Sequence, residues 1–144
     1  MAKIDQIIDT FQSLDPELRA EVLLDYARKL PDLPGELAEA ADRDDARVPE
    51  CQTPVWLWVV PEGDGVRLHA RVAEEAPTVK GLLSILVHGY SGASREEVAQ
   101  VPNDLVQRLG LSSLVRMNRM VGLSAMIQRV RRRANEIPAA EASS

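Results

Sequence analysis

The 144-residue chain has one cysteine, Cys51, and two histidines, His69 and His88. A single thiol closes no disulfide within its own chain, so any sulfur chemistry at Cys51 has to involve a second molecule. These residues also fall short of the roughly three or four thiolate or imidazole ligands that zinc or an iron–sulfur cluster needs, and they lack ligand spacing. No resident metal and no cofactor are expected. Aromatic residues make up 3% of the chain, so the core has to be built from Leu, Val, Ile, Ala and Met, against which Trp56 and Trp58 stand out. No segment approaches the ~20 apolar residues of a membrane span. There is no Gly-rich phosphate loop and no internal repeat. The opening Met1-Ala2-Lys3-Ile4-Asp5 meets polar residues too early for a secretory signal. A net charge of -5 opposes nucleic acid and anionic membranes as partners. The expectation is a soluble protein of a reducing compartment, the cytoplasm.

What is present is enough for one core: 45% of the residues are apolar. Residues 1–144 read as one domain, with 136–144 as a disordered tail. Ile4, Ile7, Ile8 and Phe11 form a helical stripe. Asp15-Pro16-Glu17 starts a second helix, carried by Leu18, Val22, Tyr26 and Leu30 to Pro31. Pro31 to Val48 reads as a solvated connection with a helical turn at Glu36 to Ala41. From Val55 the period changes to two, both faces of the strand are apolar, and a central or covered strand is expected. A loop at Pro61 to Gly65 leads to a second strand, Val66 to Val72, with one wet face. Val48 is available for a short third strand.

Pro77-Thr78 opens a strongly apolar helix through Val87, with Gly89 as its terminator. Ser94-Arg95-Glu96-Glu97 is a capping box. Asn103 is expected to cap a helix to Gly110, and Asn118 to precede a last long helix with Leu123, Met126, Ile127, Val130 and Ala134 on one face. Two or three antiparallel strands packed by helices make an α+β fold.

Cys51 lies in Val48-Pro49-Glu50-Cys51-Gln52-Thr53-Pro54-Val55-Trp56, between two prolines. Read from its own loop alone, a free cysteine is more often a buried, inert small hydrophobe; placement between two prolines weakens that reading, because buried structural cysteines usually lie on helices or strands. A Cys–His hydrolase pairing is disfavoured, because His69 reads as a wet-face strand residue and His88 as a helix-end residue. Arg129, Arg131, Arg132 and Arg133 read as cations complementing a helix C-terminus rather than as a nucleic-acid patch.

Four stretches in order carry a resemblance: Tyr26-Ala27-Arg28-Lys29-Leu30-Pro31, Val48 to Trp56, Val79-Lys80-Gly81-Leu82-Leu83, and Arg119-Met120-Val121-Gly122-Leu123-Ser124-Ala125-Met126-Ile127. Together they resemble the SufE-type sulfur-acceptor proteins of iron–sulfur cluster assembly, from roughly Ile4 through Ala134. The resemblance implies a small antiparallel sheet packed by helices, similar to the cluster scaffolds. It also implies that Cys51 accepts sulfane sulfur as a persulfide from a pyridoxal-phosphate cysteine desulfurase, stimulates that enzyme, and passes the sulfur to a scaffold complex. Arginine at the position of Arg119 is implied near the thiol, assisting electrostatically, while Glu50 and Gln52 shape the loop. A monomer or weak homodimer is expected.

The chain departs from the family pattern where Glu50 stands for the usual Gly before the cysteine, Thr53 for Ser, and Asn118 for Ser. Glu50 stiffens the loop and sets negative charge beside a thiolate, raising the thiol's pKa unless a cation such as Arg119 compensates. The alternative from another class is a non-catalytic module that binds and regulates a desulfurase or assembly complex with Cys51 unused. Trp56 and Trp58 are expected in the core and over the sheet, one of them able to line an apolar pocket for resting sulfur.

Overall fold

The structure, a computed structural model, describes residues 3–42, 54–72, 77–115 and 117–137; for 40–42 and 117–119 it describes the backbone alone. Helix α1 (Lys3–Gln12) buries Ile4, Ile8 and Phe11, the stripe legible in the sequence. Helix α2 (Pro16–Arg28) begins with an extended Asp15 at the N-cap and Pro16 in the first turn. It stops at Arg28, with Lys29 as cap, rather than reaching Pro31. Proline disfavours helical geometry at the residue before it, so Leu30 cannot continue the turn at low cost. Residues 30–34 therefore cross the surface without helix before α3 (Gly35–Asp42), which is longer than the expected turn.

Strands β1 (Val55–Glu62) and β2 (Gly65–Val72) pair antiparallel, from Val55 opposite Val72 to Glu62 opposite Gly65. The hairpin is tighter than the expected loop. Pro61 and Glu62 still pair, which leaves Gly63 and Asp64 to turn the chain, with Gly63 at φ 59°. Val55, Leu57, Val66, Leu68, Ala70 and Val72 face the core. The other face carries Trp56, Trp58 and Val60 beside Arg67, His69 and Arg71, half-buried except for exposed Arg71. Of the two readings of β1, central or covered, the first is corrected: among the described residues the sheet has two strands, and the outer face of β1 is half-buried. Val48, the candidate third strand, lies outside the described residues.

Helix α4 (Pro77–Tyr90) is the centre of the packing, buried without interruption from Gly81 to Val87 and set against α1, α2 and β2. At Gly81 a Cβ atom would lie 2.5 Å from the Leu23 carbonyl oxygen, so α2 and α4 cross where one has no side chain. Gly89 does not end the helix as expected. It is buried in the last turn against Ile4, and Gly92 takes the positive φ of 80° instead.

Helix α5 (Arg95–Ala99) has the capping box in place, with Glu97 N–H donating to Ser94 Oγ at 3.1 Å. Helix α6 (Leu105–Arg108) is shorter than read, and its N-cap is Asp104. Asn103 serves another purpose, accepting at Oδ1 from Gln128 Nε2 at 2.9 Å and Arg131 Nη1 at 3.0 Å. A single 3-10 turn, Ser112–Leu114, precedes α7 (Met117–Glu136). This helix packs on α5 and β1 through the expected stripe of Leu123, Met126, Ile127, Val130 and Ala134. Asn118 lies within its first turn rather than before it. Ile137, read as part of the tail, is buried; residues 138–144 lie outside the described residues.

Candidate functional site

The strand register makes Trp56 and Arg71 direct cross-strand partners, and partners opposite one another share a face. The Arg71 guanidinium carbon lies 5.2 Å from the Trp56 ring centroid, within cation–π range. This pair forms one wall of an open cleft of about 520 Å³, together with Pro54 and Val72. The crossing segment between α2 and α3 also lines it, with Leu30, Pro31, Asp32 and Leu33, as does Lys80 of α4. The proline that ends α2 early thus brings irregular backbone to the cleft.

The cleft mixes apolar side chains with a carboxylate and two cations. Both Arg71 and Lys80 take part in further interactions. Trp56 is different. Its Nε1 is buried and meets no hydrogen-bond acceptor, a state that costs about 1–3 kcal/mol for a buried donor.

Neither histidine lines this cleft. His69, on the outer sheet face, is held below its ordinary pKa by burial first and by the Arg67 charge second, with Glu62 opposing. Glu62 is bound to Arg67 at 2.6 Å, which lowers its own pKa. His88 faces α2, with Nε2 3.2 Å from the Lys29 carbonyl oxygen and its ring 5.9 Å from that of Tyr26. That arrangement is a packing contact between helices, and burial raises the Tyr26 hydroxyl's pKa within it. The helix-end arginines also find local partners, Arg133 with Glu136 at 3.4 Å and Arg131 with Asn103. No described helix is long and apolar enough to cross a membrane.

The SufE family, an Fe-S metabolism associated domain, matches residues 5–134. The chain belongs to the SufE family. An uncharacterised SufE-like protein of Mycobacterium tuberculosis is 37% identical over 136 residues, covering 94% of this chain and 93% of the relative. The sulfur acceptor protein CsdE of Escherichia coli is 30% identical over 109 residues, 75% of this chain and 71% of the relative. The solution structure of a hypothetical protein from Thermus thermophilus superposes with a TM-score of 0.82 at 37% identity, covering 96% of each chain. The α+β architecture read from the sequence is therefore that of a SufE-like protein.

Of the SufE site residues expected from the sequence, Glu50, Cys51 and Gln52 lie outside the described residues. Arg119 is in the first turn of α7 by its backbone, and its side chain is outside the description. The sequence reading missed Arg71, Lys80 and Asp32 as neighbours of one cleft. A signal for Arg71 existed, since a hairpin register that pairs Val55 with Val72 necessarily sets it across from Trp56. Lys80 lies in one of the SufE-like stretches, but nothing local to it points to a cleft.

Proposed function

We propose that the protein is a sulfur acceptor: Cys51 takes a sulfane sulfur from the persulfide of a cysteine desulfurase, stimulating that enzyme, and passes it to an iron–sulfur cluster assembly complex. The observation that carries this reading is the family match across residues 5–134, which encloses the chain's one cysteine. The relative named as a sulfur acceptor supports it. So does covalent geometry. Cys51 is three residues from Pro54, a lining residue of the Trp56 cleft, and a chain of that length spans at most about 11 Å.

The chemistry is an exchange at sulfur. The Cys51 thiolate attacks the outer sulfur of the donor's persulfide in line; the new S–S bond forms as the donor's S–S bond breaks, and the electron pair leaves with the donor thiolate. No external oxidant is required. The absence of a second cysteine in the chain gives the acquired persulfide no intramolecular thiol to attack it, which suits a carrier. Arg119 assists the thiolate electrostatically, and Glu50 and Gln52 shape the loop. The compartment is the cytoplasm, where a lone thiol stays reduced.

The test is intact mass after incubation with a cysteine desulfurase and L-cysteine. A reductant-labile gain of one sulfur atom, absent in Cys51→Ser, supports the acceptor role. Desulfurase stimulation that persists fully in Cys51→Ser, with no sulfur gained by the wild type, replaces it with the non-catalytic regulatory module.

A further inference from the structure

The sequence pattern sets Leu18, Val22 and Tyr26 on the apolar stripe of α2, but the core takes a different face of that helix. Leu23 and Ala27 are its buried residues, with Leu23 against Gly81 of α4, whereas Leu18 is 44% exposed and Val22 and Tyr26 are half-buried. The fold leaves an apolar row unused. A helix at the surface ordinarily turns polar residues outward, so apolar ones in register there mark a contact surface. Val22 and Tyr26, with Ile7 and Phe11 of α1, line a groove of about 320 Å³ between the two helices. Leu18 continues the row one turn beyond it. From Leu18 to Tyr26 the row runs about 12 Å, roughly two helical turns.

The charge beside the row selects the occupant. Glu17, Glu21 and Asp25 repeat at the same four-residue spacing and are exposed, so an acidic row lies alongside the apolar one. Asp25 already holds Arg28 at 3.3 Å and Lys29 at 4.0 Å. Glu17 and Glu21 form no ion pair among the described residues. At the other end of the row the charge is positive: Lys29 lies 5.6 Å from the Tyr26 ring centroid, and Lys3 lines the groove. An occupant with cations over the first turns of α2 and apolar groups toward Tyr26 matches both ends. A second copy of this chain, at a net charge of -5, matches them poorly. We propose that the α1–α2 face docks a cationic amphipathic helix of a partner protein, with its apolar anchors on Leu18, Val22 and Tyr26 and its Lys or Arg side chains on Glu17 and Glu21. Helical anchors recur every three or four residues, the period of the row that receives them. The surface uses neither Cys51 nor the Trp56 cleft, so it stands or falls apart from the acceptor reading.

The experiment titrates isotope-labelled full-length protein with three synthetic peptides of equal length and follows the amide resonances. The first is a helix with Leu on one face and Lys on the other; the second has the same composition with Leu dispersed around the helix; the third carries Glu in place of Lys. Saturable binding is expected for the first alone, with shifts gathered on α1 and α2 around Ile7 and Val22. Glu17→Lys combined with Glu21→Lys should lower that affinity about tenfold and let the Glu peptide bind instead, while Leu18→Ala weakens the first peptide several-fold. Urea midpoints confirm that the variants fold, and Glu17→Gln with Glu21→Gln replaces the reversal if it does not, with a smaller loss expected. Equal binding of the dispersed-Leu peptide, shifts that fall outside α1 and α2, or an affinity indifferent to Glu17 and Glu21 overturns the proposal. So do shifts on this face that grow with protein concentration before any peptide is added, which would give it to a second copy. Cys51→Ser should bind the first peptide as the wild type does, so a protein that gains no sulfur yet binds keeps this surface and loses the acceptor reading; one that gains sulfur and binds no peptide does the reverse.

Discussion

Arg71 stands opposite Trp56 across the β1–β2 pair, its guanidinium 5.2 Å from the indole centroid, on the sheet face that looks away from the core. The contact joins an exposed charge to a half-buried ring, a geometry in which a cation–π pair contributes about 0.5–1 kcal/mol. A double-mutant cycle of Arg71→Ala and Trp56→Leu, read by urea unfolding, should return a coupling of that size. A coupling of zero would mean that the two side chains merely share a wall of the cleft.

The crossing of α2 and α4 depends on Gly81 having no side chain. In an exposed helix Gly→Ala gains up to ~1 kcal/mol, but here the new methyl would meet the Leu23 carbonyl oxygen at 2.5 Å. Backbone cannot rotate away as a side chain can, so Gly81→Ala is expected to destabilise by about 1–3 kcal/mol. Trimming the neighbouring side chain with Leu23→Ala should fail to rescue it. Urea midpoints of the single and double variants decide the matter, and a stabilised Gly81→Ala would show that the helices separate easily.

Arg19 on α2 fastens the end of α1 and the distant turn at Gly110 together. Its Nε donates to the Phe11 carbonyl at 2.8 Å, Nη2 to that of Gln12 at 3.4 Å, and Nη1 to that of Gly110 at 3.4 Å. Lysine keeps the charge but loses the planar fork that reaches all three. Arg19→Lys should therefore cost about 1–2 kcal/mol, with hydrogen exchange accelerating first at the α1–α2 junction and around Gly110. Protection unchanged at Gly110 would reduce the third bond to a surface contact.

The contrast between Arg19 and Ser94 explains how far the sequence could be read. Ser94 bonds Glu97 three residues on, and the α7 stripe repeats every three or four positions, so both patterns are written in short stretches of chain. The elements and their faces were legible for that reason. Arg19 meets Gly110 across 91 positions, and the cleft joins Asp32, Trp56, Arg71 and Lys80 from four separate segments. Such meetings are decided by packing. The misread ends had the same origin: Gly89 looked like a terminator, whereas its lack of a side chain serves the approach of Ile4. Asn103 looked like a cap, whereas its carbonyl is used by α7.

His69 sets the pH response of the folded sheet. Burial and the Arg67 charge hold its pKa below the ordinary value, with Glu62 opposing. The unfolded chain then binds a proton more readily than the folded one, so stability rises with pH across this window. It is fully present above the unfolded-state value near 6.5 and declines as pH falls from there toward the folded pKa. Glu62 and Asp104, both lowered by hydrogen bonds to Arg67 and Arg108 respectively, act in the same direction but in the carboxylate range at lower pH. His69→Gln should therefore flatten the unfolding midpoint between about pH 5 and 7 and leave the loss at lower pH. An unchanged slope in the upper window would show that the ring gives up little hydration beside Trp58, its partner across the strands.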